Sequence, residues 1–247
     1  MQIIDTSEFE SSKVVLRKTS LVDYPGKLAA VIFFPICNLR CPWCQNRELV
    51  LNETTKDLIP LSEAIKYIEK RKNVLNSIVL SGGEPTLFSN IHILISHLKS
   101  LGFFVKIDTN GTNPGVLQDL INNKDSCPNY IAFDLKFSLD RYNTLLNSTE
   151  TTNTISENVK AGIKIICSSN IDHEFRSLVF PDNFFSRQDI ENLSKLAGNS
   201  KWHFRPFVPG NCLDPEWNKK EKTPAHIVQE LIDFAESLKK NPPQEHL

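Results

Sequence analysis

The sequence predicts an α/β fold, a partial (β/α)6 barrel of mostly parallel strands, and three observations support this prediction. Six short apolar runs, rich in β-branched and aromatic residues, have the composition of buried strands. Amphipathic stretches with helical spacing separate most of these runs, and such alternation is typical of parallel strands joined by right-handed crossovers. Several runs end in turn-forming or polar residues, where folds of this class carry their functional loops.

The six predicted strands are short, and their number is below the eight of a closed barrel. We therefore expect an incomplete barrel or a strongly curved open sheet. The strands are predicted at residues 29–35, 77–81, 103–109, 130–135, 175–180 and 202–207.

Helical spacing of apolar residues is clear in the segment 60–75, where Leu61, Ala64, Ile65 and Ile68 share one face. Lysine and glutamate residues occupy the opposite face, as expected for a helix that packs on a sheet. Similar patterns predict further helices at 90–101, 115–122 and 224–240.

The segment 162–167 (GIKIIC) has the composition of a strand when it is taken alone. Over a longer window, Ile155, Val159, Ile163 and Ile166 recur every three or four residues. This spacing favours a helix over a seventh strand.

Length, charge and hydropathy limit the classes of protein to consider. The 247 residues, 40% of them hydrophobic, are enough for one domain with its own core, and we expect a single domain over 1–247. A net charge of −1 provides no overall field to attract nucleic acid or a membrane surface. The N-terminus lacks a basic segment followed by an apolar run, and no apolar stretch approaches the ~18 residues of a membrane span. We therefore expect a cytoplasmic protein with no nucleic-acid or membrane partner.

Three of the six cysteines, Cys37, Cys41 and Cys44, form a C-x3-C-x2-C pattern. Such crowding disfavours disulfides between neighbours, and thiolates are soft ligands that suit iron–sulfur clusters or zinc. A structural zinc normally has four protein ligands, whereas three thiolates leave one iron of a [4Fe–4S] cluster open to a further group. On spacing alone, a zinc site completed by a distant histidine remains an alternative. The isolated cysteines, expected to be small buried hydrophobes, are Cys127, Cys167 and Cys212.

The cysteine pattern, with Trp43 before its last cysteine and at the end of an early strand, resembles the signature of the radical S-adenosylmethionine (SAM) superfamily. The segments 21–27 (LVDYPGK) and 37–46 (CNLRCPWCQN) are also similar to the activating proteins of anaerobic ribonucleoside-triphosphate reductases, in the glycyl-radical-enzyme activase group. This resemblance covers about residues 16–217, which would form a radical SAM core. It implies that the three cysteines hold a [4Fe–4S] cluster and that S-adenosylmethionine is the second cofactor.

The motif SGGEP at residues 81–85 follows the second predicted strand. Taken alone it is a turn that precedes a helix, although Glu84 and exposed carbonyl groups there could accept hydrogen bonds from an ammonium group. The resemblance implies that Gly82, Gly83 and Glu84 bind the methionyl ammonium of the cofactor.

Asp108 and Thr109 end the third predicted strand and precede the turn signal Asn-Gly. A tight loop with a helix cap is a sufficient explanation of these residues taken alone. The resemblance implies that their carboxylate and hydroxyl oxygens lie near the cofactor, in some activases together with a monovalent cation.

Asp134 and Lys136 end the fourth predicted strand, and residues two apart on a strand point to the same side. An ordinary surface ion pair is the alternative. In the activases that this chain resembles, such a pair holds the ribose or the methionyl carboxylate of the cofactor. The residue at the position of Trp43 contacts adenine through its backbone in that family.

Three later residues give weaker indications. Arg176 precedes an apolar run, SLVFP, that could face adenine as the fifth strand does in relatives. His203 and Arg205, two apart on the last predicted strand, could share the pocket, although a structural histidine is an equal alternative. Gln45 differs from the family, in which histidine often follows the third cysteine.

The resemblance implies an anaerobic enzyme whose cofactors carry the chemistry. One-electron reduction, by a donor such as flavodoxin or ferredoxin, would cleave S-adenosylmethionine to a 5′-deoxyadenosyl radical. This radical would generate a glycyl radical on a partner enzyme, and no catalytic residue is required beyond the cluster and the cofactor. The alternative is an enzyme that acts on a small molecule in cofactor or modified-base biosynthesis. A non-catalytic zinc or iron–sulfur protein is the third class.

Overall fold

The computed structural model describes residues 9–51, 53, 57–145 and 152–240. The first eight residues, on which part of the N-terminal prediction rests, and the polar tail 241–247 lie outside these ranges. The strands are β1 (Lys13–Ser20), β2 (Ala29–Phe34), β3 (Leu58–Pro60), β4 (Ser77–Gly82), β5 (Phe104–Thr109), β6 (Tyr130–Asp134), β7 (Asp172–Val179) and β8 (Trp202–Pro206). The helices are α1 (Arg47–Val50), α2 (Leu61–Lys70), α3 (Ile91–Ser100), α4 (Pro114–Asn122), α5 (Thr152–Ser168), α6 (Arg187–Ala197) and α7 (Ala225–Lys240).

The strands form one eight-stranded sheet, in the order β3-β1-β2-β4-β5-β6-β7-β8. From β2 onward, neighbouring strands in this order pair in parallel. These six parallel strands are the six that the sequence predicts. The predicted α/β fold with a mostly parallel sheet is therefore confirmed.

Two further strands, β1 and β3, were not predicted, and they lie at one edge of the sheet. β1 pairs antiparallel with both β2 and β3. Only Val14 and Ser20 of β1 are buried, so its hydrophobic pattern does not distinguish it from a loop. β3 has only three residues. Such edge strands are stabilised by the strand beside them more than by their own composition.

Helices with a clear spacing of apolar residues were predicted, and a mostly polar helix was missed. The segment 162–167 lies within α5, as predicted, and Val159 and Ile163 on that helix are fully buried. The helix predicted at 60–75 ends at Lys70, where the charged run KRK begins. α6 was not predicted because most of its residues are polar, although Ile190 and Leu193 pack into the core. Among the described helices, none is both long and apolar enough to span a lipid bilayer.

The parallel strands present alternate residues to two different environments, as the pleat of a strand requires. On β5, Val105 and Ile107 are fully buried in the apolar cluster that includes Leu94 of α3. Lys106 and Asp108 lie on the other side of the sheet, where they form an ion pair. This side is therefore polar close to the strand ends that carry the predicted site.

One prediction about the isolated cysteines is wrong. Cys212 is buried as expected and Cys127 is half-buried, but Cys167 is exposed. Ile163 and Ile166 form the buried face of the last turns of α5. Because successive helical residues are rotated by about 100°, Cys167 falls outside that face.

Candidate active site

The predicted site residues come together at the carboxyl ends of four neighbouring parallel strands. The cysteine loop follows β2, Gly82 ends β4, Thr109 ends β5 and Asp134 ends β6. All of them line one cavity of about 340 Å³, a size typical of small-molecule sites. The predicted residues that line it are Cys37, Cys41, Trp43, Cys44, Gly82, Gly83, Glu84, Asp108, Thr109, Asp134 and Lys136.

Trp43 anchors the cysteine loop in an aromatic cluster. Its indole is 5% exposed and lies 5.1 Å from the rings of both Phe180 and Trp217, measured between centroids. The rings of Phe137 and Phe184 lie 5.3 and 5.7 Å away in edge-on contacts. Such packing stabilises the loop and makes one wall of the cavity apolar.

The backbone of the cysteine loop is held by residues from the far end of the chain. The amide of Leu213 donates to the carbonyl of Cys44, and the amide of Asp214 donates to the carbonyl of Pro42, both at 2.9 Å. Within the loop, Arg40 Nη1 donates to the carbonyl of Cys37 at 2.5 Å. The loop conformation therefore depends on tertiary contacts and not only on its own sequence.

The three thiols have raised pKa values, as expected for buried metal ligands in the absence of the metal. Burial raises the pKa of Cys41 to about 12, and burial also raises the pKa of Cys37 and Cys44. Free thiols here would be protonated at neutral pH, so thiolates would form together with a bound metal centre. Within the described ranges, no three His, Cys, Asp or Glu side chains are placed to hold a single metal ion. Three separated thiols suit a cluster in which each ligand binds its own iron.

The turn at Gly82 and Gly83 packs directly against the start of the cysteine loop. The amide of Gly83 donates to the carbonyl of Phe34 at 2.8 Å, and the amide of Glu84 donates to the carbonyl of Ile36 at 2.9 Å. A Cβ atom on Gly83 would lie 1.9 Å from that Ile36 oxygen. Gly82 also has a positive φ of 115°, which glycine adopts without strain. Glycine is therefore required at both positions.

The side chain of Glu84 is buried and accepts hydrogen bonds from three residues of the protein. Its Oε1 accepts hydrogen bonds from the amide and hydroxyl of Thr86, at 3.1 and 2.6 Å, and from Thr109 Oγ1 at 2.8 Å. Its Oε2 accepts from the amide of Asn110 at 2.7 Å. Burial raises the pKa of Glu84, while these hydrogen bonds oppose that shift. Glu84 thus joins the loops after β4 and β5 and lines the cavity beside them.

Arg176 connects the two acidic residues of the predicted site. Its guanidinium lies 2.9 Å from Asp134 Oδ1 and 3.2 Å from Asp108 Oδ1. Lys136 Nζ lies 3.4 Å from Asp134 Oδ2, so this pair shares one side of β6 as predicted. Lys106 Nζ lies 2.8 Å from Asp108 Oδ1.

This network joins two carboxylates to three cationic side chains. Glu174 is a further acidic neighbour of Arg176, and Glu84 lines the same cavity, so the cations do not outnumber the carboxylates around it. Burial alone would raise the pKa of Asp134, but Arg176 and Lys136 hold it below its ordinary value. Burial alone would lower the pKa of Lys136, but Asp134 raises it. Asp108 Oδ1 is buried, and its described partners are the ion-pair contacts with Lys106 and Arg176.

Sequence reasoning missed part of this network. Arg176 was singled out only because it precedes a segment that could face adenine, and its position between the two acidic side chains was not predicted. Lys106 was not identified, although it stands two residues before Asp108 and the alternation of a strand puts both on one side. Asn110 Nδ2, 3.8 Å from Cys37 Sγ, was also missed, because the Asn-Gly signal indicates only a turn.

The weaker candidates lie beside the cavity. His203 is not among its lining residues, and its Nε2 lies 3.4 Å from Glu174 Oε2. Arg205 lines an adjoining cavity of about 220 Å³ together with Asp134 and Lys136. Gln45, the departure from the family pattern, donates from Nε2 to the carbonyl of Val208 at 2.6 Å.

Comparison with known proteins agrees with this geometry. Residues 31–197 match the radical SAM superfamily. A Methanocaldococcus jannaschii protein, provisionally named as a glycyl-radical enzyme activating enzyme, is 33% identical over 218 residues, which cover 87% of this chain and 88% of its own. The 7-carboxy-7-deazaguanine synthase of Aquifex aeolicus is 40% identical over 76 residues, 31% of this chain and 33% of its own.

A solved structure shows the same fold. SuiB of Streptococcus suis, determined with bound S-adenosylmethionine, superposes with a TM-score of 0.59 at 15% identity, over 86% of this chain and 49% of its own. The three thiols, the glycine turn and the charged network fit the cofactors that the family match implies. The chain therefore belongs to the radical SAM superfamily, and its cofactors are a [4Fe–4S] cluster and S-adenosylmethionine.

Proposed function

We propose that this radical SAM enzyme activates a glycyl-radical enzyme, and that its partner is an anaerobic ribonucleoside-triphosphate reductase. The observation that carries the activase assignment is the 33% identity to a protein of that provisional name over 87% of this chain. The choice of reductase rests on the resemblance of segments 21–27 and 37–46 to the activating proteins of these reductases. A flavodoxin or ferredoxin is the proposed electron donor.

The residues of the cavity have separate tasks in this proposal. Cys37, Cys41 and Cys44 hold the cluster, and the cluster with S-adenosylmethionine supplies a hydrogen-abstracting radical when both are bound. Lys136 and Arg176 provide positive charge for the carboxylate of the cofactor, and both are held in position by Asp134.

Other residues fix the position of the cofactor and exclude water. The turn at Gly82 and Gly83 presents backbone carbonyls to an ammonium group. Glu84 holds this turn against the loop after β5 through its hydrogen bonds to Thr109 and Asn110. The aromatic cluster around Trp43 closes one wall to water, which is required where a reactive radical must be protected from side reactions.

The assignment is tested by two linked measurements under anaerobic conditions. Reconstituted enzyme with dithionite and S-adenosylmethionine should form 5′-deoxyadenosine, and the Cys41→Ala variant should not. The enzyme is then mixed with each glycyl-radical protein of the same host, and electron paramagnetic resonance should show a glycyl signal with the reductase. If 5′-deoxyadenosine forms but every candidate partner stays silent, the activase assignment is wrong.

A small-molecule substrate is the second candidate, because of the identity to 7-carboxy-7-deazaguanine synthase over 76 residues. This similarity covers only 31% of the chain. The enzyme can be incubated with the metabolite fraction of its host, reductant and S-adenosylmethionine. Formation of 7-carboxy-7-deazaguanine, detected by mass spectrometry, would replace the activase assignment with this one.

A further inference from the structure

The strand β8 ends the described sheet and has a free edge. It pairs with β7 on one side only. The amide of Phe175 donates to the carbonyl of Lys201, and the amide of Phe207 donates to the carbonyl of Val179, both at 2.8 Å. Because backbone groups alternate in direction along a strand, the amides of Trp202 and Phe204 point away from β7. Within the described residues, neither amide has a hydrogen-bond acceptor.

A row of basic side chains follows this free edge. Lys201, His203 and Arg205 are exposed and, being two residues apart, point to the same side of the strand. In the described part of the chain, neither Lys201 nor Arg205 has a side-chain hydrogen bond or ion pair. The Nε2 of His203 lies near the buried Glu174. In the described part of the chain, Lys201 and Arg205 are therefore cations without a counter-charge, whereas His203 faces the carboxylate of Glu174.

The loop between β1 and β2 faces this row across an open cavity. Val22 and Asp23 of the loop line the same cavity, of about 460 Å³, as the three basic residues. Leu21 and Val22 are 78% and 81% exposed, and apolar side chains this exposed at a cavity rim are typical of contact surfaces. The carboxylate of Asp23 is paired with Arg17 at 3.1 Å, so it does not neutralise the row.

The free edge of β8 ends close to the proposed active site. Arg205 lines the cavity that also contains Asp134 and Lys136. Just beyond β8, the carbonyl of Val208 accepts a hydrogen bond from Gln45, which follows the last cysteine of the cluster loop. A peptide lying along β8 would therefore extend to the rim of the cofactor cavity.

We propose that β8 is the docking strand for the protein substrate, which binds as an added strand with acidic side chains facing Lys201, His203 and Arg205. The free amides of Trp202 and Phe204 would donate to the carbonyls of the added strand, as in other cases of strand addition to a sheet edge. The unneutralised cations select an acidic segment. This inference rests on the proposed activase function, because it assumes a protein substrate.

The probe is a fluorescent seven-residue peptide with a central glycine, aspartate two residues to each side of it, and threonine elsewhere. Binding to the reconstituted enzyme is followed by fluorescence anisotropy, without reductant or S-adenosylmethionine. We expect saturable binding that Lys201→Glu and Arg205→Glu each weaken about tenfold. Lys195→Glu, an exposed lysine on α6, is the matched control and should bind normally, and thermal unfolding establishes that each variant is folded.

Two N-methylated versions of the peptide test strand addition itself. One carries the methyl groups on the glycine and both aspartates, and the other carries them on the threonines. Only one set of amides can face β8, so one version should lose binding and the other should keep it. If both bind like the parent peptide, the row recognises carboxylates alone and strand addition is wrong. Absence of saturable binding, or equal binding by all three charge variants, overturns the docking strand.

The outcome is independent of the test of the proposed function. Peptide binding that depends on charge and amides, without a glycyl radical on any partner, would support the docking strand and reject the activase assignment. A glycyl radical on the reductase that Lys201→Glu does not diminish would support the activase assignment and reject the docking strand.

Discussion

The ammonium group of Lys106 lies 2.8 Å from Oδ1 of Asp108, and Lys106 is only 2% exposed. The same ammonium donates to the backbone carbonyl of Asp23 at 2.7 Å. Lys106 therefore connects the loop that faces β8 with an acidic side chain of the cofactor cavity. Arg176 is a second cation on Asp108, at 3.2 Å. Two side-chain cations thus already neutralise Asp108, near which the resemblance to the activases implies a monovalent cation in some members.

Replacing Lys106 by methionine should destabilise the protein, because it leaves the half-buried Asp108 with one cationic neighbour fewer. We expect the free energy of unfolding to fall by about 3 kcal/mol, measured by urea denaturation of the enzyme. Lys66→Met, at an exposed position on α2, is the control and should leave it unchanged. Equal stability of the two variants would show that the Lys106 pair does not stabilise the fold.

Cofactor cleavage should not require added potassium or sodium in the wild-type enzyme, because Lys106 and Arg176 supply positive charge at Asp108. We expect the rate of 5′-deoxyadenosine formation to be the same in potassium and in tetramethylammonium buffers of equal ionic strength. In Lys106→Met the rate should become dependent on potassium. A wild-type enzyme that needs potassium would contradict this assignment of charge.

The sequence predicted a relationship between two site residues when both lie on the same strand. It did not predict relationships between residues of different strands. Asp134 and Lys136 were predicted correctly to share one side, because strand alternation fixes that relationship locally. Arg176 could not be placed, since its position between Asp108 and Asp134 depends on the register of β7 against β6. The hydrogen bonds of Glu84 to Thr109 and Asn110 were not predicted for the same reason, because these partners follow a different strand.

The same distinction applies to the strands: some form a recognisable pattern in their own sequence, and others depend on contacts with neighbouring strands. Five of the six parallel strands, all but β8, carry runs of buried residues, so their composition identified them. β1 is a strand because β2 and β3 pair with it, and its own residues are mostly exposed. Among the strands, sequence patterns therefore predicted those with continuous apolar runs and missed the two at the β3–β1 edge, which are stabilised by the strands beside them.

Gly83→Ala should damage the cluster site, because the new methyl group would lie 1.9 Å from the backbone oxygen of Ile36. The cysteine loop would have to move, and we expect a loss of about 2 kcal/mol in the free energy of unfolding. Iron bound after reconstitution, measured by absorbance and iron analysis, should fall as well. Gly115→Ala is the matched control: a Cβ there meets nothing within 4 Å, so stability and iron content should not decrease. Normal iron binding by Gly83→Ala would contradict the close approach.

Ile36→Gly should stabilise the protein, because Ile36 adopts a φ of +74°, in which a β-branched residue is strained. The side chain is 54% exposed, so little buried area is lost with it. We expect a gain of about 1 kcal/mol in the free energy of unfolding, measured by urea denaturation. Ile36→Val keeps a β-branched residue and should give no gain. If glycine and valine have the same effect, the strain is not significant.

Asp189→Asn should destabilise the protein in a pH-dependent manner, because the buried carboxylate of Asp189 joins the loop after β6 to the start of α6. Oδ1 accepts hydrogen bonds from the amide and hydroxyl of Ser138, and Oδ2 accepts from the amide and hydroxyl of Ser186, all at 2.9 Å. Arg141 pairs with Oδ2 at 2.7 Å. An asparagine amide nitrogen cannot accept these bonds, so we expect a loss of about 3 kcal/mol at pH 7.

The pH dependence follows from the direction of the pKa shift. Burial alone would raise the pKa of Asp189, but the hydrogen bonds from Ser138 and Ser186 lower it below its ordinary value. The carboxylate therefore contributes stability above its unfolded pKa of about 3.9, and this contribution is lost as the pH falls through the lower folded pKa. Urea denaturation at several pH values should show the largest difference between wild type and Asp189→Asn near neutrality and a shrinking one in acid. Asp119→Asn, at an exposed position on α4, is the control, and its free energy of unfolding should equal that of the wild type at every pH. A loss of stability in Asp189→Asn that does not shrink in acid would contradict the ionised state assigned to Asp189.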